Sequence, residues 1–209
     1  MGWLSGLCAH AICGFTSALT GVRAIWQSEP MGPGARVYYG NHSSHGDFVL
    51  IWTALPSAVR ATTRPVAGAD YWLKSPIRRF VGQDVFRAVL IDRENTVADD
   101  PITRMAQVLG QGESLIIFPE GTRNTTDAAL LPFKSGIYRL AQAQPGTEFV
   151  PVWINNINRV LPKGYLLPVP LLCTVTVGAP LQCGPDEEKA AFLERARQSL
   201  LALAPKELD

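Results

Sequence analysis

Apolar and polar positions along the chain fall into short runs that alternate between two periods. Residues 36–40 read as a short strand running into a polar turn, and residues 48–55 are apolar enough for a helix packed on a sheet. Residues 65–68 predict a second strand, 71–80 a helix of mixed aromatic and basic character, and 85–91 a β-rich run ending at Asp92-Arg93. Over 96–111 the residues Ile102, Met105, Ala106, Val108 and Leu109 share one face, the mark of an amphipathic helix. The uninterrupted run 114–118 fits a strand buried on both faces. A helix over 134–144 and strands over 149–154 and 171–177 follow. The tail opens with Gly184-Pro185 and three acids, a helix start, and continues with Phe192, Leu193, Ala196, Leu200 and Leu203 on one face. Strands alternating with helices predict an α/β fold with a mostly parallel central sheet flanked by helices. In such sheets sites form at the carboxy-terminal ends of strands.

The amino terminus breaks this alternation. No charged residue precedes Arg23, and residues 3–22 reach the ~20 residues that span a bilayer. His10, Ser5, Thr16, Ser17, Thr20 and three glycines interrupt the run. No basic segment precedes it, which argues against a cleaved signal peptide. The reading preferred over a buried core helix or a true span is an apolar membrane-associating helix lying in one leaflet, anchored by Trp3 and Trp26. The turn-rich stretch 28–35 then marks a boundary, giving a membrane-associating segment over 1–27 and a main domain over 28–209.

Composition adds three constraints. Hydrophobic residues make up 47% of the 209 and charged residues only 18%, below the usual quarter for a soluble domain, so some apolar surface is expected to face something other than water. The net charge of +1 supplies no field for nucleic acid, and no nucleic-acid partner is expected. Cys8, Cys13, Cys173 and Cys183 lack any C-x-x-C spacing and read as reduced thiols. His42 and His45 lie close together without a third ligand, so no metal site is expected.

Two segments carry chemistry. In Asn41-His42-Ser43-Ser44-His45-Gly46-Asp47, His42 and Asp47 are five residues apart, about 140° around a regular helix. They can meet only across a strand-to-helix turn, which Gly46 and the serines suit. An imidazole there can take a proton from a hydroxyl while the carboxylate fixes its tautomer. The alternative is a histidine capping the following helix, with Asp47 as a first-turn acid. In Ile117-Phe118-Pro119-Glu120-Gly121-Thr122-Arg123-Asn124 a buried strand gives way to a loop. Gly121 allows close backbone approach, Arg123 offers a planar fork for phosphate, and Glu120 is placed to orient that arginine or bind a ligand hydroxyl. A surface loop with a salt bridge is the plainer reading of the same residues.

The two segments in this order resemble the NHxxxxD and FPEGTRS blocks of the glycerolipid acyltransferases of the 1-acylglycerol-3-phosphate acyltransferase (PlsC-like) type. Val89–Arg93 and Val150–Ile154 resemble two lesser blocks of that family, and Phe133-Lys134-Ser135-Gly136 matches its Phe-Lys-x-Gly. The resemblance covers roughly residues 36–180. It departs at Gly68-Ala69-Asp70-Tyr71-Trp72-Leu73, which lacks the lysine of an Ala-Lys-x-x-Leu block. The resemblance implies transfer of a fatty acyl group from a thioester, carried by coenzyme A or acyl carrier protein, to the hydroxyl of a lysophospholipid, with 1-acylglycerol 3-phosphate, giving phosphatidic acid, as the leading acceptor and glycerol 3-phosphate, another lysophospholipid or an aminolipid as the alternatives. His42 would act as general base and Asp47 would orient it. The acceptor phosphate would lie among Arg93, Glu120, Gly121, Thr122, Arg123 and Lys134. No cofactor is implied. The expected partners are a membrane lipid surface and, for the donor, acyl carrier protein, with a peripheral or monotopic location on the cytoplasmic face of a membrane. Trp72 and residues 160–167 are further candidates for lipid contact, and Arg78, Arg79 and Arg87 for a carrier protein or anionic heads. A hydrolase using the same pair, and a non-catalytic membrane module, are the rival readings.

Overall fold

The computed structural model describes residues 2–27, 34–44, 46–92, 100–155 and 172–205. Its frame is a seven-stranded sheet: β1 (Arg23–Trp26), β2 (Arg36–Gly40), β3 (Thr63–Gly68), β4 (Val89–Ile91), β5 (Ser114–Ile117), β6 (Glu148–Asn155) and β7 (Thr174–Val177). The spatial order is β1-β7-β6-β2-β5-β3-β4, and every neighbouring pair is parallel except β6 with β7. The expected mostly parallel sheet flanked by helices is the fold.

Strict alternation along the central strands builds two cores. Val37 and Tyr39 of β2, Leu115 and Ile117 of β5, and Phe149 of β6 point to one face. There they pack on α6 (Pro101–Gly110), α7 (Gly136–Ala143) and α8 (Lys189–Leu201). Tyr38, Ile116, Val150 and Val152 point to the other face, against α1 (Trp3–Thr20), α2 (Asp47–Ala54) and a π-helical turn (Phe80–Val85). Burial on both faces is why these strands read as continuous apolar runs.

Several element boundaries differ from the sequence expectations, each for a local reason. The helix expected over 71–80 is split into α4 (Ala69–Trp72) and α5 (Pro76–Arg79), because Pro76 cannot continue a preceding helix and Ser75 caps a new one by accepting from the Arg78 N–H. The strand expected over 85–91 keeps only its last three residues. Before them, Val85 and Phe86 are buried and Arg87 adopts a left-handed φ of 53°. The helix expected from residue 96 is described from Pro101, where Asp100 caps it by accepting from the Thr103 N–H. The tail helix begins at Lys189 rather than at Pro185, since Glu187 turns back to accept from the Gly184 N–H and pairs with Arg195.

The amino-terminal segment is helical over α1. Arg23–Trp26 then form β1, hydrogen-bonded in parallel to β7 at the sheet edge, so this segment also contributes a strand to the main sheet. Trp26 therefore sits in a strand, partly packed on the second core, rather than on the helix. One side of α1, with Ala9, Ile12 and Cys13, packs on that core, while Trp3 and Phe15 are 82% and 69% exposed. No helix among the described residues is long and apolar enough to cross a membrane. Residues 160–167 lie outside the described residues.

Candidate active site

Strand β2 ends at Gly40 and α2 begins at Asp47, so the intervening turn brings His42 back over the first turn of the helix. His42 Nδ1 and Asp47 Oδ2 are 2.8 Å apart. The same Oδ2 accepts the backbone N–H groups of Ser43 (2.6 Å) and Ser44 (2.9 Å), and Asp47 is wholly buried. The carboxylate thus shapes the turn as well as the imidazole. With Nδ1 committed to Asp47, the nitrogen left to exchange a proton is Nε2. The ring is stacked on Phe118 at the end of β5, with centroids 4.3 Å apart and planes 17° from parallel, which fixes its tilt.

Two further side chains hold this turn. Asn41 donates to the Ile154 carbonyl and accepts from the Ile154 N–H, extending the pairing of β2 with β6 by one side-chain amide. Glu120, 2% exposed, accepts from the His42 N–H through one oxygen (2.8 Å) and from the Leu131 N–H through the other (2.9 Å). Its burial pushes the carboxyl above the ordinary carboxylate range, although both N–H groups pull it down and nearby Asp47 adds a smaller push up. Asn124 completes the join by donating its N–H to the His42 carbonyl at 2.6 Å. The histidine loop and the loop after β5 are therefore one hydrogen-bonded unit.

A cavity of about 770 Å³ opens at this end of the sheet. Most of its wall is apolar, including Ile12 of α1, Phe48 and Val49 of α2, and Trp72 and Phe86. The polar and charged side chains in the wall are His42, Asp70, Tyr71, Thr122, Arg123 and Lys134. A long apolar chain and a charged head can both be accommodated in such a wall. Gly121 adopts φ +69°, and a Cβ there would stand 2.7 Å from Lys134 Cδ, so the glycine makes room for the lysine stem.

Acyltransferase is the protein family whose model matches residues 27–155, which include β2 to β6 and both motif loops. The chain belongs to the acyltransferase family. It is 30% identical over 186 residues to a 1-acyl-sn-glycerol-3-phosphate acyltransferase of Limnanthes alba, covering 85% of this chain and 61% of that protein. It is 31% identical over 161 residues to the enzyme of the same name from Cocos nucifera, covering 73% of this chain and 48% of the relative. The chain thus spans about three-fifths of the Limnanthes relative and half of the coconut one. In fold it resembles the crystal structure of the 1-acyl-sn-glycerophosphate (LPA) acyltransferase PlsC from Thermotoga maritima. The TM-score is 0.70 at 17% identity, covering 97% of this chain and 83% of that one.

In this member of the family the structure brings His42, Gly121, Thr122, Arg123 and Lys134 to one cavity, with Asp47 buried behind the histidine. Glu120 is buried behind the cavity wall rather than in it, and each of its oxygens accepts a backbone N–H, so it shapes the loop that carries Gly121, Thr122 and Arg123. Arg93 and His45 lie outside the described residues. Sequence reasoning did not find Asn41, Phe118 or Leu131. Asn41 had a readable signal, as an amide directly after a strand and beside the histidine. The other two depend on tertiary contact alone.

Proposed function

We propose that this acyltransferase moves a fatty acyl group from a thioester to the hydroxyl of a lysophospholipid, the class to which the acceptor named in its relatives, 1-acyl-sn-glycerol 3-phosphate, belongs. The observation that carries the reading is the His42–Asp47 pair set in the wall of a largely apolar cavity that also contains Arg123 and Lys134. His42 Nε2 takes the proton of the acceptor hydroxyl as its oxygen attacks the thioester carbonyl. Asp47 holds the tautomer and stabilises the imidazolium that forms. The tetrahedral intermediate collapses, the C–S bond breaks, and the proton passes from His42 to the departing thiolate, leaving an ester and a free thiol. Attack is direct, so neither Ser43 nor Ser44 carries an acyl group. Arg123 and Lys134 grip the acceptor phosphate.

The donor is coenzyme A or acyl carrier protein, and the protein works as a peripheral or monotopic enzyme on the cytoplasmic face of a membrane. The exposed apolar side of α1, with Trp3 and Phe15, supports contact with lipid at the surface. Because Ile12 of the same helix lines the cavity, that contact sets the cavity beside the leaflet from which a lysolipid would enter.

The test is transfer of a labelled palmitoyl group, from both donor types, to a panel of lysophospholipids and glycerol 3-phosphate. The wild type is expected to form diacyl products, and His42→Ala to lose about 10²- to 10⁴-fold in rate while keeping its fold. Release of free fatty acid alone with every acceptor would replace this reading by a hydrolase.

A further inference from the structure

The basic residues between β3 and β4 divide into two sets. Arg87 is spent within the fold, since it pairs with Glu113. Lys74, Arg78 and Arg79 are exposed and form no ion pair among the described residues. Two apolar side chains stand among these three cations: Ile77 is 77% exposed and Leu73 41%. Lys74 and Arg79 also line one surface hollow of about 370 Å³, together with Leu73, Phe80 and Asp84. The two cations outnumber the Asp84 carboxylate in that hollow, and Asp70 lines the His42 cavity instead. Apolar side chains left in water among long cationic ones are the pattern of an interfacial segment. There the apolar groups enter the lipid while lysine and arginine reach back to the headgroups.

The neighbours of this segment decide the partner. The π-helical turn Phe80–Val85 follows α5 directly and touches both α5 and α1. Ile12 of α1 lines the His42 cavity, and so do Tyr71, Trp72 and Val81 of the α4-to-π-turn stretch. Both elements that carry exposed apolar residues therefore border that cavity and are joined through one turn. Helix α1 contains no lysine, arginine, aspartate or glutamate, so its exposed Trp3, Leu7 and Phe15 offer an acidic protein nothing to pair with. A lipid leaflet suits both elements: its apolar interior receives the α1 side chains, and negative headgroups complement the three cations.

We propose that the α4–α5 segment is a second footing of this protein on the membrane and that it selects a leaflet containing anionic phospholipid. Leu73 and Ile77 enter the interface, and Lys74, Arg78 and Arg79 hold the headgroup phosphates. The proposal rests on the membrane contact read above for α1, to which it adds a requirement for lipid charge.

The experiment is co-sedimentation of the full chain with two kinds of vesicle, phosphatidylcholine alone and phosphatidylcholine with about a third phosphatidylglycerol. A lysine or arginine at an anionic surface is worth about fivefold in partitioning, so the wild type is expected to bind the anionic vesicles about a hundredfold more tightly at low salt. Salt at ~0.5 M should remove most of that preference. Lys74→Gln with Arg79→Gln should weaken binding to anionic vesicles about twentyfold and leave binding to neutral ones unchanged. Both side chains are exposed and unpaired among the described residues, and Arg78, which lies over the Tyr71 ring, is kept, so this variant is expected to fold. Lys74→Arg with Arg79→Lys preserves the charge and should bind as the wild type does. Ile77→Ser should weaken binding to both vesicles. A wild type without preference, a neutralised variant that keeps the preference, an equal loss on both vesicles from neutralisation, or an Ile77→Ser variant that binds unchanged would each overturn the proposal. If neutralisation spares vesicle binding and instead lowers transfer only from an acyl carrier protein donor, the segment docks a carrier and the proposal is overturned. Vesicle binding needs no turnover. A wild type that acylates no acceptor therefore defeats the transfer reading alone, whereas one that binds no vesicle defeats the footing.

Discussion

At the amino-terminal ends of the parallel strands, Arg36 meets Glu148, and Arg64 and Arg87 converge on Glu113. At the carboxy-terminal ends, Asp70, Arg123 and Lys134 line one cavity and form no ion pair among the described residues. The fold consumes the charges at one end and leaves those at the other unspent. Between the unspent charges and the sheet lies a third arrangement, in which Asp47 and Glu120 are buried and bonded to backbone N–H groups. The difference teaches where rigidity and where recognition reside. Carboxylates bonded to main chain fix the position of the imidazole, whereas exposed charges without protein partners are the ones available to a ligand.

Breaking the buried arrangement should have the largest effect. Glu120→Ala leaves the N–H groups of His42 and Leu131 without an acceptor, at ~1–3 kcal/mol each. Unfolding by denaturant should show that loss, and transfer activity should fall with it because the His42 loop is released. Arg123→Ala, at the unspent end, should leave the unfolding midpoint within ~0.5 kcal/mol of wild type. It should raise the acceptor KM about tenfold, which steady-state kinetics over a range of acceptor concentrations would read.

At the consumed end the expectation reverses. Glu113→Ala strips two arginines of their partner and should cost ~1–2 kcal/mol in the same denaturation assay, with kcat and KM unchanged. A change in KM for the acceptor would show that the two ends are not independent.

The smallest effect concerns pH. Burial raises the Glu120 carboxyl, so the folded protein holds that proton to a higher pH than the unfolded chain does. The stability this contributes is complete below the unfolded carboxylate value and is lost as pH rises through the folded one. Wild-type stability relative to Glu120→Gln should therefore decline as pH rises from the ordinary carboxylate range towards neutrality. A difference that is flat across that interval would place the proton elsewhere.

The alternation of Val37, Tyr38 and Tyr39, and the unbroken run from Ser114 to Ile117, were enough to read the central strands and their burial on both faces. The spacing of His42 and Asp47 dictated a strand-to-helix turn, because no other local geometry lets them touch. The backbone partners of Glu120 were not legible, since a carboxylate beside an arginine carries no sign of two N–H groups arriving from residues 78 positions before it and 11 after it. The segment after β3 resisted reading for another reason. Its apolar residues serve an aromatic packing among Phe48, Trp72 and Phe86, which pulls short helical pieces out of what reads as one helix and one strand. The edge strand β1 is only four residues long, and its partner lies near the far end of the chain.

That pairing has a consequence for the order of events on the ribosome. Arg23 aligns with Thr174, so among the described strands β1 has no neighbour until β7 emerges. Until then α1 can already pack on α2 and the π-helical turn, while β1 behind it stays unpaired. Closing the sheet edge is a late and long-range step, slow by its topology. A chain arrested before Thr174 would hold its histidine loop and the glutamate that braces it, yet would leave that amino-terminal helix tethered to a strand with nothing to pair with.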